Sequence, residues 1–190
     1  MTTSDRDAVR SVRRGNPQAF AEIVLRYQGR LYGVMLMMVR QPADAEELAQ
    51  DAFVRAYLQL ARYDDQRPFY PWLVCIAVRL AQNWLVRHGR TSRREGTALE
   101  DVQEPSVRAN ALTALISDER SRGLWRTVAS LPSGQRTAVF LFYREGMAVG
   151  DIARALGVTA GTIKRLLFRA RQKLRTRLDA AAPAREGIST

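Results

Sequence analysis

The sequence predicts an all-α protein made of two small helical domains joined by a flexible linker. Three observations carry this expectation. Apolar residues recur at helical spacing over most of the 190 positions, and no Asn-Gly or Asp-Gly hairpin lies between alternating apolar runs. The periodicity lapses across residues 95–114, where Gly96, Pro105, Glu100, Asp101 and Glu104 stand instead. Each flank is large enough to bury a core of its own. The expected domains are residues 1–94 and 115–179, with 95–114 as the linker and 180–190 as a fraying tail.

The balance of 30 Lys and Arg against 19 Asp and Glu gives a formal net charge of +11 and a pI near 10.9. Such a surplus favours a polyanion through counterion release from phosphates, and it is almost all arginine, which suits bidentate contacts to phosphate and guanine. Nucleic acid is the expected partner. Cys75 and His88 are the only residues of their types. A disulfide framework and a Cys/His zinc site are thereby excluded within one chain, and neither metal nor cofactor is expected. Cys75, between Val74 and Ile76, reads as a buried inert thiol in a reducing cytoplasm. Residues 1–14 alternate charges without the apolar stretch of a signal peptide, and the longest apolar run, residues 31–39, is short of a membrane span. It reads as a core helix, with no membrane insertion.

Helix starts are marked by Asn16-Pro17, Gln41-Pro42, Tyr70-Pro71 and Pro132-Ser133, where proline or a capping side chain meets amides that lack partners. Residues 42–61 put Ala45, Leu48, Ala49, Ala52, Phe53, Ala56, Tyr57 and Leu60 on one apolar stripe. Asp44, Glu47 and Asp51 line another side at three- and four-residue steps, an acidic face in a basic chain. Residues 70–87 form a second strong helix, with Trp72, Leu73, Ile76, Ala77, Leu80, Trp84 and Leu85 inward, and lead into Arg87, His88, Arg90, Arg93 and Arg94. Residues 118–130, 134–145, 149–156 and 160–178 read as four further helices. Their expected core is Leu124, Trp125, Val128, Leu131, Val139, Phe140, Ile152, Ala153, Leu156, Ile163, Leu166 and Leu167.

Residues 149–164 have the layout of a helix-turn-helix. Ala153 permits close crossing, Gly157 the left-handed turn, and Val158 and Ile163 plug the angle between helices. The second helix, loaded with Lys164, Arg165, Arg169, Arg171, Lys173, Arg175 and Arg177, is built to lie in a major groove.

Leu131-Pro132, the Phe140 helix and residues 152–174 together resemble the carboxy-terminal σ4 domain of extracytoplasmic-function (ECF) RNA polymerase sigma factors of the sigma-70 family. The amino-terminal half extends the likeness. Residues 15–20 with Tyr27, Leu31 and Tyr32 resemble the start of a σ2 domain; residues 44–57 its polymerase-binding helix; Pro68 to Leu73, Ile76-Ala77 and residues 83–85 its promoter-melting part. Phe69-Tyr70, Asn83 and residues 87–90 are similar to the envelope-stress sigma-E branch.

The resemblance implies a sigma factor that brings core RNA polymerase to promoters, reads their −35 and −10 elements and helps open them. The implied polymerase-binding residues are Asp44, Glu47, Leu48, Asp51 and Phe53. Those for the −10 element are Asp64, Asp65, Gln66, Arg67, Phe69, Tyr70, Arg79, Asn83 and Arg87, with the 64–69 loop capturing a flipped base by edge contacts and stacking. Those for the −35 element are Thr159, Ala160, Gly161, Thr162, Lys164, Arg165, Phe168 and Arg169. Implied partners are the β′ clamp coiled coil and β flap of core polymerase, promoter DNA, and an anti-sigma factor, membrane-anchored or soluble. Arg79 stands where relatives often carry asparagine, Leu166 where the recognition helix often carries arginine, and Met147-Ala148-Val149-Gly150 where Leu-Ser-Tyr-Glu is more usual. No catalytic constellation is expected, because the carboxylates are dispersed, the one histidine lacks a nucleophile partner and no glycine-rich loop follows a strand. The alternative is a helix-turn-helix activator that does not replace the sigma subunit, but such a protein would not need the acidic helix, the aromatic loop and the basic tract in this order; the linker, by freeing the two halves, implies poor promoter binding by the free chain.

Overall fold

The computed structural model describes residues 4–88 and 119–181, so the 95–114 linker and residues 182–190 of the tail lie outside the described residues. Within them the chain is helical. Helix α1 (Asp5–Arg13) is capped by Ser4, whose hydroxyl accepts from the Asp7 amide at 3.2 Å. Helix α2 (Ala19–Val39) starts later than Asn16-Pro17 suggests, because the amides of Ala19 and Phe20 first close tight turns on the Asn16 and Pro17 carbonyls. It ends at Arg40, in the left-handed region at φ 63°. Helix α3 (Pro42–Leu58) begins with proline in its first turn, where a missing N–H costs nothing. A 3₁₀ turn (Leu60–Arg62) and a short loop lead to α4 (Phe69–Arg87).

The amino-terminal bundle closes α2, α3 and α4 on one another. Leu31, Val34 and Met35 of α2, Ala45, Ala49, Ala52 and Ala56 of α3, and Leu73, Ala77 and Ala81 of α4 are all buried in the cluster where these helices pack together. The alanines let α3 approach closely while leucine, valine and methionine fill the space between axes. Tyr57, expected on the buried stripe, is exposed at its edge, with its ring edge-on to Phe20 at 5.2 Å.

The carboxy-terminal unit comprises α5 (Glu119–Ala129), α6 (Ser133–Val139), a π-helical turn (Phe140–Arg144), α7 (Val149–Leu156) and α8 (Ala160–Ala181). Helix α8 continues through Ala180 and Ala181, which the sequence assigned to the tail. Trp125, Val128, Leu131, Phe140, Ile152, Ile163 and Leu166 form its core, whereas Leu124, about 100° round α5 from Trp125, is exposed.

The two units pack directly on each other: α7 lies on α4, and α6 on α2. Gln82 Nε2 donates to the Leu156 carbonyl at 3.3 Å, and the buried Arg136 donates to the Met37 carbonyl at 3.3 Å and the Leu131 carbonyl at 3.1 Å. The π turn widens the helix, with the Glu145 amide bonded back to the Phe140 carbonyl at 3.1 Å, and it turns Glu145 inward. There the carboxylate, 4% exposed, accepts from Arg30 Nε at 3.0 Å and from the Tyr70 hydroxyl at 2.7 Å. The Arg30 guanidinium also lies 3.9 Å from the centre of the Tyr70 ring.

Candidate nucleic-acid and protein interfaces

The basic surface is built by the angle between α7 and α8. Gly157 holds φ +71°, and its amide and that of Val158 close on the Ala153 carbonyl, ending α7 in one residue. Thr159 then caps α8, its hydroxyl accepting from the Thr162 amide at 3.2 Å and bonding the Thr162 hydroxyl at 3.0 Å. Its first role is thus to start the helix. Ile163, Leu166, Leu167 and Ala170 point inward, which leaves Ala160, Gly161, Lys164, Arg165, Phe168 and Arg169 on one exposed face. Thr159 is exposed and Thr162 half-buried at the start of that face. Leu166 is fully buried in the helix-turn-helix core, so it is no replacement for a base-reading arginine. Phe168, an exposed aromatic between cations, has the shape to meet a base methyl or sugar.

A second candidate surface runs from the loop before α4 along that helix. Arg79, Asn83 and Arg87 are exposed at four-residue steps and share one face. Asp64, Gln66 and Arg67 are exposed in the loop, with Asp64 bonding the Gln66 amide at 3.0 Å and pairing with Arg67 at 3.3 Å. Asp65 is drawn inward to Arg10 at 2.8 Å. Phe69 and Tyr70, expected to face DNA, are buried instead. Phe69 packs edge-on to Tyr63 and Trp72, at 5.3 and 5.4 Å, and Tyr70 stacks on Tyr27 at 4.9 Å with its hydroxyl on Glu145. Burial pushes the Tyr70 phenol far above its ordinary range, with the Glu145 charge adding to it. No base can stack on either ring in this arrangement, because each already has protein on its faces.

Sequence reasoning missed Tyr63, which is buried under the loop against Phe69 and Trp72 and donates its hydroxyl to the Arg67 carbonyl. Burial pushes its phenol up to about 12. It also missed the α1 arginines that reach this loop. The available signal was the helical spacing of Arg6, Arg10 and Arg13.

The third surface is the outer side of α3. Glu46, Glu47, Gln50 and Asp51 are exposed and Asp44 half-buried, while Leu48 and Phe53 are buried and support this face from behind. Phe53 lines a groove of about 500 Å³ between α2 and α3, with Val24, Tyr32, Glu46 and Gln50. Leu25 on α2 and Val54 and Leu58 on α3 are exposed apolar side chains, the last 73% exposed. Carboxylates beside exposed apolar side chains suit a protein partner, the apolar part giving affinity and the charge giving register. The helical step from Gln50 to Val54 to Leu58 was the legible sign of this strip.

Comparison with known proteins places the chain in a family. Residues 23–91 match Sigma-70 region 2 and residues 121–174 match Sigma-70, region 4. The RNA polymerase sigma-H factor of Pseudomonas aeruginosa is 33% identical over 182 residues, spanning 90% of this chain and 91% of that protein. The ECF RNA polymerase sigma-E factor of Escherichia coli is 30% identical over 183 residues, spanning 90% and 92%. The chain belongs to the ECF RNA polymerase sigma factors.

Among solved structures, this sigma factor is similar to CnrH, determined in complex with the cytosolic domain of CnrY, with a TM-score of 0.64, 27% identity and coverage of 93% of this chain and 97% of that one. It shares its fold with the Bartonella quintana sigma factor RpoE, solved with the anti-sigma factor NepR, at a TM-score of 0.63, 22% identity and 84% and 96% coverage. Sigma factors are DNA-binding transcription initiation factors, and their two domains bind core polymerase and promoter DNA. Among the described residues no helix is long and apolar enough to cross a membrane, and no group of three or more His, Cys, Asp or Glu is placed to hold a metal ion.

Proposed function

We propose that each of the three surfaces has one task in initiation. The outer side of α3, with Asp44, Glu47, Gln50, Asp51, Val54 and Leu58, docks on core polymerase. The loop with Asp64, Gln66 and Arg67, and the Arg79, Asn83 and Arg87 face of α4, engage the −10 element. The Thr159 to Arg169 face of α8 enters the major groove of the −35 element. One observation supports this division best: the outward face of α8 carries cations around Phe168, while the outward face of α3 carries carboxylates around an apolar strip. The first suits phosphate and base edges and the second suits a protein. The protein acts in the cytoplasm, where polymerase and template are, and has no catalytic chemistry of its own.

The packed arrangement is the unengaged state. Elements centred at −35 and −10 lie about 25 base pairs apart, or about 85 Å at ~3.4 Å per pair, whereas α7 rests directly on α4. One face of the −10 helix is therefore covered by the −35 domain. The thirty residues 89–118 can span up to about 100 Å when extended, so the chain is long enough for the domains to part. CnrH and RpoE were each solved with a protein partner, one of them an anti-sigma factor, and an inhibitor of that kind would hold this chain closed.

Run-off transcription with purified core polymerase on a pool of genomic promoter fragments tests this reading. The expected result is initiation from a subset that shares a −35 and a −10 sequence and depends on the added chain. Tight sequence-specific binding by the chain alone, with no gain in transcription from core polymerase, would instead indicate an activator.

A further inference from the structure

Helix α1 lies outside both family-matched segments, yet its polar side is committed to one place. Its apolar side seats it: Ala8 and Val9 are fully buried, and Asp5 is fixed on α2 by the Tyr27 hydroxyl at 2.5 Å and by Arg26. Arg6, Arg10 and Arg13, at steps of four and three, then all reach the segment between α3 and α4. Arg13 donates to the Leu60 carbonyl through Nε at 3.2 Å and Nη2 at 2.8 Å, and Nη2 also meets the Tyr63 carbonyl. Arg6 Nε donates to the Asp65 carbonyl at 3.0 Å. Arg10 Nε pairs with the Asp65 carboxylate at 2.8 Å.

Three guanidinium groups thus hold three backbone carbonyls and one carboxylate of a segment whose only regular element is the short 3₁₀ turn Leu60–Arg62. Asp65 is occupied from both sides, since its other oxygen accepts from Gln66 Nε2 at 3.2 Å. Its side chain is only 17% exposed. It is poorly placed to read a base and well placed to anchor the residues that do. The pairing also answers an electrostatic difficulty: Asp64 and Asp65 are adjacent carboxylates on a loop meant to approach phosphates. Each is neutralised by an arginine, Arg67 for the first and Arg10 for the second.

We infer that α1 is a positioning element for −10 base selection: Arg6, Arg10 and Arg13 fix the shape of the 60–67 loop, with Asp65 as its anchor, so that Gln66 and Arg67 are presented to the base. This rests on the reading of that loop as the −10 selector. A positioning role differs from direct phosphate contact by the α1 arginines, which would change affinity uniformly across sequences and leave the preference intact. It also distinguishes arginine from lysine. Arg13 uses its planar fork on two carbonyls, which an ammonium cannot reproduce, whereas Arg10 makes one ion pair that lysine can restore.

The test uses holoenzyme reconstituted from the full chain and core polymerase, with transcription measured on templates that carry each base at each −10 position and one −35 element. Arg10→Ala and Asp65→Asn should each flatten −10 discrimination about threefold to tenfold, the scale of one coupled contact in a network. The double variant should be no worse than either single, −35 preference should be unchanged, Arg10→Lys should restore discrimination and Arg13→Lys should not. Gln66→Ala and Arg67→Ala serve as the reference. If these alter −10 preference while Arg10→Ala and Asp65→Asn do not, the positioning role is wrong and the loop reading stands. If neither Gln66→Ala nor Arg67→Ala alters it, the loop reading fails and the inference with it. A uniform loss of transcription in Arg10→Ala that Asp65→Asn does not share would assign Arg10 to phosphate and overturn the inference. Unchanged co-elution with core polymerase and an unchanged helical circular dichroism spectrum establish that each variant is folded.

Discussion

Replacing Glu145 with glutamine is the sharpest perturbation of the contact between the two domains. The change keeps the side chain's shape and an oxygen for the Tyr70 hydroxyl, and it removes the charge that Arg30 meets at 3.0 Å. Two unit charges about 4 Å apart attract by about 4 kcal/mol at an effective dielectric of ~20. Two corrections reduce this. Arg30 is 46% exposed, so water screens it, and returning a carboxylate buried to 4% to neutrality recovers part of its desolvation cost. The net weakening should be about 1–2 kcal/mol, which shifts the ratio of packed to separated domains about 5- to 30-fold. Arg30→Ala should do at least as much, because it leaves the buried carboxylate without its cation and removes the guanidinium from the Tyr70 ring. The assay is single-molecule energy transfer between dyes at Gln59→Cys and Thr176→Cys in a Cys75→Ala background, both labelled positions being exposed. A low-transfer population should appear or grow in both variants. Apparent affinity for core polymerase should rise in proportion to the fraction opened. Distance distributions and core affinity that match the wild type in both variants would refute the argument that this ion pair holds the domains together.

Charge reversal at Glu47 and Asp51 should weaken co-elution with core polymerase at least tenfold without unfolding, since both are exposed; unchanged assembly would remove the α3 surface from the interface. Arg169→Ala should relax preference at one −35 position by about 1–3 kcal/mol, read from binding of holoenzyme to single-base variants; intact selectivity would mean that α8 does not lie in the groove as described. Burial, with the Asp5 charge adding to it, pushes the Tyr27 and Tyr63 phenols up to about 12. Tyrosines of the unfolded chain release their protons near 10, so above that pH the unfolded state holds fewer protons and stability falls as pH rises from about 10 toward 12. Denaturant midpoints across this window should fall, and Tyr63→Phe should fall less steeply; an identical slope in the variant would show that Tyr63 does not contribute.

The sequence alone determined what depends on local periodicity and charge. Gly157 at a helix end, small Ala153 and apolar Val158 and Ile163 define the helix-turn-helix, because steric limits on the left-handed turn and on close crossing act within a few residues. The acidic side of α3 and the cationic side of α8 were legible for the same reason: a 3.6-residue repeat assigns faces without reference to the rest of the chain. What it could not assign is which part of a face another element covers. Phe69 and Tyr70 are aromatic at the head of a helix in either case, and only the approach of Tyr27, Tyr63 and Glu145 makes them core. Leu166 is expected in the core from helical spacing and also stands where the recognition helix often carries arginine, and the α7–α8 angle bears out the first of these. Glu145 and Arg30 are 115 positions apart, and a π turn whose phase no regular helical repeat anticipates brings them together. Asp65 likewise looked like one of several polar loop residues, and its partners on α1 lie more than fifty positions earlier in the chain. Such pairings are decided by packing, because a loop takes its shape from the side chains that reach its backbone, and those come from wherever the fold brings them.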